Sequence, residues 1–179
     1  MTLTTAAVLG TGAWGTTFAQ VLADAGVDVT MWGRNADTIS FINGGENPTY
    51  LPGIALSDRI SATAEITEAV AGRELVVVAV PVKAVRATLS AAREAFAPGV
   101  ALLSLAKGLE LGSLKRVDEI IAEASGVPEN RIAVLSGPNL SREIAERQPT
   151  ATVVAAFDVE LAKEIAKACH NSYFRPYVS

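Results

Sequence analysis

The sequence predicts an α/β fold: a doubly wound, mostly parallel sheet with helices on both faces. Three observations carry this. Short apolar runs alternate with helical patterns along the chain, the pattern of repeated strand–helix–strand units. One run, 75–80 (LVVVAV), is apolar at every position, as a strand buried on both faces requires. A glycine-rich turn joins the first apolar run to the first helical pattern.

Taken in order, the first strand is read at 6–9 (AAVL). A helix follows from Ala13 to Gly26, the glycine serving as its C-terminal cap. The second strand, 28–32 (DVTMW), leads into a shorter helix, NADTISFIN. The stretch 44–58 (GGENPTYLPGIALSD) is punctuated by Pro48, Pro52 and Gly53; it reads as irregular surface chain near the second strand. After the strand at 75–80, Pro81 opens a helix (PVKAVRATLSAAREAF), because its fixed φ and missing N–H suit a first turn. The strand at 101–106 (ALLSLA) precedes a helix from Ser113 to Gly126. The strand at 132–136 (IAVLS) precedes a turn and the helix LSREIAER. The last strand, 151–155 (ATVVA), precedes a helix with Asp158 as its N-cap. No repeat, low-complexity segment or interior linker interrupts this order, so residues 1–179 read as one domain.

Composition narrows the function. A chain of 179 residues, 50 % hydrophobic, can bury a sizeable core and is not disordered. The formal net charge of -4 gives no general footprint for nucleic acid. The single cysteine, Cys169, leaves no disulfide framework and no cysteine-based zinc site, which suits a reducing cytoplasm. The N-terminus lacks the pattern of a signal peptide, and no window has the roughly 18 apolar residues of a membrane span.

The segment 7–26, AVLGTGAWGTTFAQVLADAG, places Gly10, Gly12 and Gly15 between strand and helix. This G-x-G-x-x-G context is a dinucleotide fingerprint. Gly10 permits the tight turn, Gly12 lets the backbone approach a pyrophosphate, and Gly15 lets helix and strand pack closely. The helix N-terminus then offers N–H groups to phosphates. An NAD-preferring site has an acidic residue about 20 positions on, to bind the ribose. Here Arg34, followed by Asn35, stands at that place. A guanidinium can hold a 2′-phosphate bidentately, which favours NADPH over NADH. The alternative is an exposed arginine stacked on adenine without discriminating. Three further features follow strand ends, where ligands of open α/β sheets bind: Pro81, Lys107 in AKGLE, and Gly137 in SGPNLSREIA. Lys107, a lone cation beside Gly108, points to an anionic substrate such as a phosphate. The turn from Ser136 to Asn139 can present backbone N–H groups to an anion.

Together the motifs GTGAWGTTFA (10–19), WGRN (32–35), NPTYLPG (47–53), VVAVP (77–81), AKGLE (106–110) and LSGPNLSREIA (135–145) resemble one family, the bacterial NAD(P)-dependent glycerol-3-phosphate dehydrogenases. The resemblance implies a Rossmann-type domain and the reduction of dihydroxyacetone phosphate to sn-glycerol 3-phosphate, a phospholipid precursor. By motif position it implies that Ala13, Trp14, Arg34 and Ser141 contact NADP or NAD alongside Gly10, Gly12 and Gly15. It places Lys107 between cofactor and substrate, and Gly137 and Asn139 on the substrate. Ala13 stands where the family often has serine, Val82 likewise, Ser141 where alanine is usual, and Asn139 where threonine or serine is frequent. The resemblance further implies a C-terminal helical domain absent from this chain. That domain would carry the general acid/base lysine beyond Ser179, so that this half alone binds cofactor without turning over substrate. The whole protein is then a cytoplasmic enzyme, a homodimer, with a phosphorylated small-molecule substrate and neither nucleic-acid nor membrane partners.

Other residues are set aside. His170 follows a helix end, Cys169 reads as a small buried residue, and Lys163 and Lys167 lie on a solvated helical face. Trp32 and Phe41 read as packing residues. No His/Cys/carboxylate cluster has metal spacing. Two rival functions share the fold: another two-domain reductase of the ketopantoate or β-hydroxyacid type, and a non-catalytic nucleotide-sensing module. AKGLE and SGPNLSREIA argue against the first, and the absence of an extra partner-binding region against the second.

Overall fold

The structure is a computed structural model that describes residues 3–179; Met1 and Thr2, the start of the expected domain, lie outside the described residues. The elements, in chain order, are β1 (Thr5–Leu9), α1 (Ala13–Asp24), β2 (Asp28–Trp32), α2 (Ala36–Asn43), β3 (Glu46–Asn47), β4 (Leu51–Ala55), β5 (Ile60–Thr63) and α3 (Ile66–Val70). There follow β6 (Leu75–Val78), α4 (Val82–Ala92), β7 (Ala101–Ser104), α5 (Val117–Ser125), β8 (Ile132–Ser136), α6 (Ser141–Ala145), β9 (Thr150–Ala156), α7 (Val159–Cys169) and β10 (Phe174–Val178).

Eight strands form one sheet in the order β10-β9-β8-β7-β6-β1-β2-β5. All its pairings are parallel except β8 with β9. The doubly wound reading therefore holds. The chain runs outward from β1 through β2 to β5, then returns to the other side of β1 and builds outward through β6. The order reverses between β1 and β6, and such a reversal leaves a crevice at the carboxyl ends of the strands.

Side-chain alternation explains the unbroken apolar runs. Ala6 and Val8 of β1 join one core with Phe18 and Leu22 of α1 and Leu161 and Ile165 of α7. Ala7 and Leu9 join the other, with Val85 and Leu89 of α4 and Ile120 and Ile121 of α5. Strand β6 divides the same way, Leu75 and Val77 against Val76 and Val78. Each central strand must be apolar on both faces because helices cover both.

Helix ends follow local chemistry. Asp158 caps α7 by accepting from the Glu160 N–H, as its position predicts. Gly126 ends α5 in the left-handed conformation, at φ 72°. The start of α5 is later than expected: Ser113 lies in a turn and the helix opens at Val117. Ser113 Oγ donates to Glu110 instead of capping. Helix α4 also stops early, at Ala92, and a 3-10 turn at Arg93–Ala95 replaces its last turn. The segment 44–58 is not irregular throughout. It contains the antiparallel pair of β3 and β4, and it buries Asn47 and Leu51.

Two edge strands and one short helix were not legible in the sequence. Edge strand β5 is closed by Asn43, whose Nδ2 donates to Ala62 O (2.9 Å) and whose Oδ1 accepts from Ala62 N (2.8 Å). At the opposite edge, β10 contains Pro176, which a central strand would not tolerate. Its anchor is Phe174, fully buried and edge-on to Phe18 with ring centroids 6.1 Å apart. The Phe174→Ala substitution is expected to lower the unfolding free energy by about 3–5 kcal/mol, read as a shift of the urea midpoint at constant slope. An unchanged midpoint would mean that β10 frays independently of the core.

Candidate functional site

A cleft of about 640 Å³ opens at the reversal point between β1 and β6. Ligand sites of small molecules span roughly 300–1,000 Å³, so its size suits an extended ligand. Four strand ends build it: Gly10 after β1, Trp32 and Gly33 at β2, Ala79 and Val80 after β6, and Leu105 to Lys107 after β7.

The glycine turn has a steric basis. Gly10 takes φ +126°, and a Cβ there would stand 2.7 Å from Ala79 O. A Cβ at Gly15 would stand 2.4 Å from Gly10 O. No side chain fits either place, so α1 starts hard against β1 and β6. Gly12 is different: a Cβ there would meet nothing within 4 Å, because the backbone faces the open cleft. The first turn of α1 holds no acidic residue, so the positive end of the helix is not offset locally.

Of the residues singled out from the sequence, Gly10, Gly12, Trp14, Gly15, Arg34 and Lys107 line this one cleft. Trp14 is half-buried and packs edge-on to Phe18, with centroids 5.7 Å apart. Arg34 is exposed at the rim. Its neighbour Asn35 is the N-cap of α2, accepting from the Thr38 N–H at 2.8 Å. Ala13, Gly137, Asn139 and Ser141 do not line the cleft. Gly137 is tied to it, since Lys107 Nζ donates to Gly137 O at 2.8 Å. A Cβ on Gly137 would stand 3.1 Å from Thr152 Oγ1. That hydroxyl donates to Ser136 O (3.0 Å) and accepts from Asn139 Nδ2 (3.3 Å). Ser141 opens α6, and its carbonyl accepts from Thr17 Oγ1 at 3.2 Å. The turn after β8 is thereby fastened to both β9 and α1.

Sequence reasoning passed over Thr11, Gly33 and Tyr50, which also line the cleft, and it read Trp32 only as packing. Trp32 does both: its ring packs on the core while its Nε1 donates to Ala64 O at 3.0 Å. Thr11 and Gly33 are coupled, because a Cβ on Gly33 would stand 2.6 Å from Thr11 Cγ2. Spacing could have found Thr11, which sits inside the fingerprint; Tyr50 comes from a remote segment that only folding brings near.

His170 and Cys169 do not line this cleft. Burial pushes the Cys169 thiol up to about 12, which makes it a poor nucleophile. No group of three or more metal-ligating side chains occurs among the described residues.

The loop carrying Lys107 is held by an ionic clamp that the sequence did not reveal. Arg86 on α4 donates to both oxygens of Glu110, Nε to Oε1 at 3.0 Å and Nη2 to Oε2 at 2.8 Å. Ser113 Oγ adds a bond at 2.6 Å. Glu123 accepts from Arg86 and from Lys115. The Arg86 and Ser113 hydrogen bonds hold the Glu110 carboxyl down at about 2, against an ordinary value of 4.5. A carboxylate with a depressed value stabilises the fold above its unfolded value and loses that contribution as pH falls through its folded value. Wild type is therefore expected to lose stability on acidification from about pH 4.5 toward 2. Glu110→Gln should be less stable at neutral pH and show a shallower loss across that window. Urea midpoints at several pH values check this, and parallel profiles for the two proteins would refute it.

Comparisons with known proteins agree with this fold. The family model described as "NAD-dependent glycerol-3-phosphate dehydrogenase N-terminus" matches residues 5–162. The glycerol-3-phosphate dehydrogenase [NAD(P)+] of Thermobifida fusca is 50 % identical over 179 residues, 99 % of this chain and 53 % of the relative. That of Streptomyces griseus is 50 % identical over 175 residues, 97 % of this chain and 52 % of the relative. The crystal structure of glycerol-3-phosphate dehydrogenase from Coxiella burnetii superposes with a TM-score of 0.90 at 28 % identity, covering 99 % of this chain and 54 % of the other. The chain thus spans about half the length of the curated relatives it matches.

Proposed function

The chain belongs to the NAD-dependent glycerol-3-phosphate dehydrogenase family, by its N-terminal domain, and we propose that it is the cofactor-binding half of an oxidoreductase that reduces dihydroxyacetone phosphate to sn-glycerol 3-phosphate. One observation carries the reading: Gly10, Gly12, Trp14, Gly15, Arg34 and Lys107 line a single cleft at the reversal point of the sheet.

The residues present suit a dinucleotide. Gly12 leaves open space where a Cβ would block a pyrophosphate, and the N-terminus of α1 faces it. Arg34 at the rim holds a 2′-phosphate, which favours NADPH while leaving NADH admissible. By motif position Ala13, in the first turn of α1, offers its backbone N–H to the pyrophosphate, and Ser141, at the start of α6, touches the cofactor. Bound there, the nicotinamide ring supplies the hydride. Lys107, with its ammonium fixed on Gly137 O, attracts the anionic substrate, and Gly137 and Asn139 bind it. On this reading, residues 1–179 form one dinucleotide-binding domain, and the proton-exchanging lysine lies in a second, helical domain of the whole protein. No helix among the described residues is long and apolar enough to cross a membrane. The family resemblance supports a cytoplasmic homodimer that feeds phospholipid synthesis.

The test is a fluorescence titration of this chain with NADPH and NADH, since Trp14 and Trp32 both line the cleft and report occupancy. NADPH should bind more tightly. Arg34→Ala should weaken NADPH roughly tenfold to a hundredfold, as loss of a charge-assisted contact does, with NADH little changed. Binding of neither cofactor by wild type would overturn the cofactor reading. Equal binding of both, untouched by the substitution, would remove Arg34 from discrimination. For the whole protein, NADPH oxidation is expected with dihydroxyacetone phosphate and not with a keto acid; the reverse preference would transfer it to the ketopantoate or β-hydroxyacid class.

A further inference from the structure

We propose that Asn47 is a positioning residue for the dinucleotide: its carboxamide sets the Thr11–Gly12 peptide so that the Gly12 N–H faces the cleft. The inference rests on the cofactor reading above.

Asn47 ends β3 and is fully buried, although it does not line the cleft. Its Nδ2 donates to Thr11 O at 3.0 Å and to Thr16 Oγ1 at 2.8 Å. Thr16, also fully buried, donates its own hydroxyl to Thr11 O at 3.2 Å. The Thr11 carbonyl thus accepts two side-chain hydrogen bonds, both from inside the protein. A trans peptide is planar, and its C=O and N–H point in opposite directions. With the carbonyl of residue 11 turned inward, the N–H of residue 12 is turned outward, on the side where Gly12 borders open space.

Side-chain hydrogen bonds are needed there because sterics do not decide the orientation. Glycine restricts its flanking peptides least, so the 11–12 unit can rotate at little steric cost. An outward carbonyl would present a partial negative charge to a pyrophosphate; an outward N–H presents a donor. The choice between them falls to Asn47 and Thr16. The second carboxamide atom supports this assignment, since Asn47 Oδ1 is buried and accepts no hydrogen bond among the described residues. An apolar side chain of similar size would fill the space without that orphan. What asparagine adds is the donor.

The test uses this chain and three variants: Asn47→Leu, which keeps volume and loses the donor, Thr16→Val, which loses the hydroxyl, and Thr16→Ser, which keeps it. Each is titrated calorimetrically with NADPH, NADH and adenosine 2′-monophosphate, the last carrying the group assigned to Arg34 but no pyrophosphate. Asn47→Leu and Thr16→Val should weaken both dinucleotides by the same factor, roughly tenfold. Adenosine 2′-monophosphate should be unaffected, and Thr16→Ser should bind as wild type does. Unchanged dinucleotide affinity in the variants would overturn the proposal. So would an equal loss of adenosine 2′-monophosphate, which would reduce Asn47 to a support for the β3–β4 hairpin. If Asn47→Leu fails to fold, the Thr16 pair decides: Ser and Val behaving alike overturns it. Failure of wild type to bind either dinucleotide is a separate result, and it removes the cofactor reading and this proposal together.

Discussion

The cleft depends on how closely α1 approaches the ends of β1 and β6. Two glycines make that approach possible, because at Gly10 and Gly15 even one methyl group would overlap backbone carbonyl oxygens. The helix therefore starts where the strand order reverses, and its exposed N–H groups meet the crevice that the reversal creates. A looser contact would displace the helix N-terminus from the strand ends that carry Arg34 and Lys107. Packing and binding are here one constraint, since the atoms that exclude a side chain are those that shape the turn.

Segments outside the sheet ladder need other partners, and here long-range side-chain bonds supply them. Asn47 reaches Thr11 across 36 positions, Arg86 reaches Glu110 across 24, and Lys107 reaches Gly137 across 30. Gln20 on α1 accepts from the Ser57 N–H, and Arg142 donates to Pro52 O, so the segment around β4 is tied at several points. Each bond replaces a water contact, so its net contribution to stability is modest. Their larger effect is geometric. They leave the loops that bear the candidate site with few alternative positions, and a site that is already ordered loses less entropy when a ligand binds.

Charge is distributed to the same end. The chain carries a formal net charge of -4, yet the cleft shows two cations and a helix N-terminus with no acidic residue in its first turn. Glu110, in the loop that carries Lys107, is already engaged by Arg86. The field at the strand ends thus favours an anion although the molecule as a whole does not.

The sequence by itself determined the central sheet and the fingerprint. Strands buried on both faces must be apolar at every position, and a strand–turn–helix without Cβ atoms at three places has few explanations, so 75–80 and Gly10, Gly12 and Gly15 were readable one residue at a time. Arg34 and Lys107 were legible because they stand just beyond strand ends, although β7 stops at Ser104, short of the expected 106. Tertiary structure alone decided the rest. Strand β10 was hidden because Pro176 is admissible only once the strand is known to lie at an edge, and β3 and β4 were hidden among prolines. The antiparallel direction of β9 leaves no mark in a hydrophobic pattern, which is the same read either way. Tyr50, Asn47 and the Arg86–Glu110 clamp belong to the candidate site through contacts between distant segments. Local periodicity reports which face of an element is buried, but not which remote side chain meets it there.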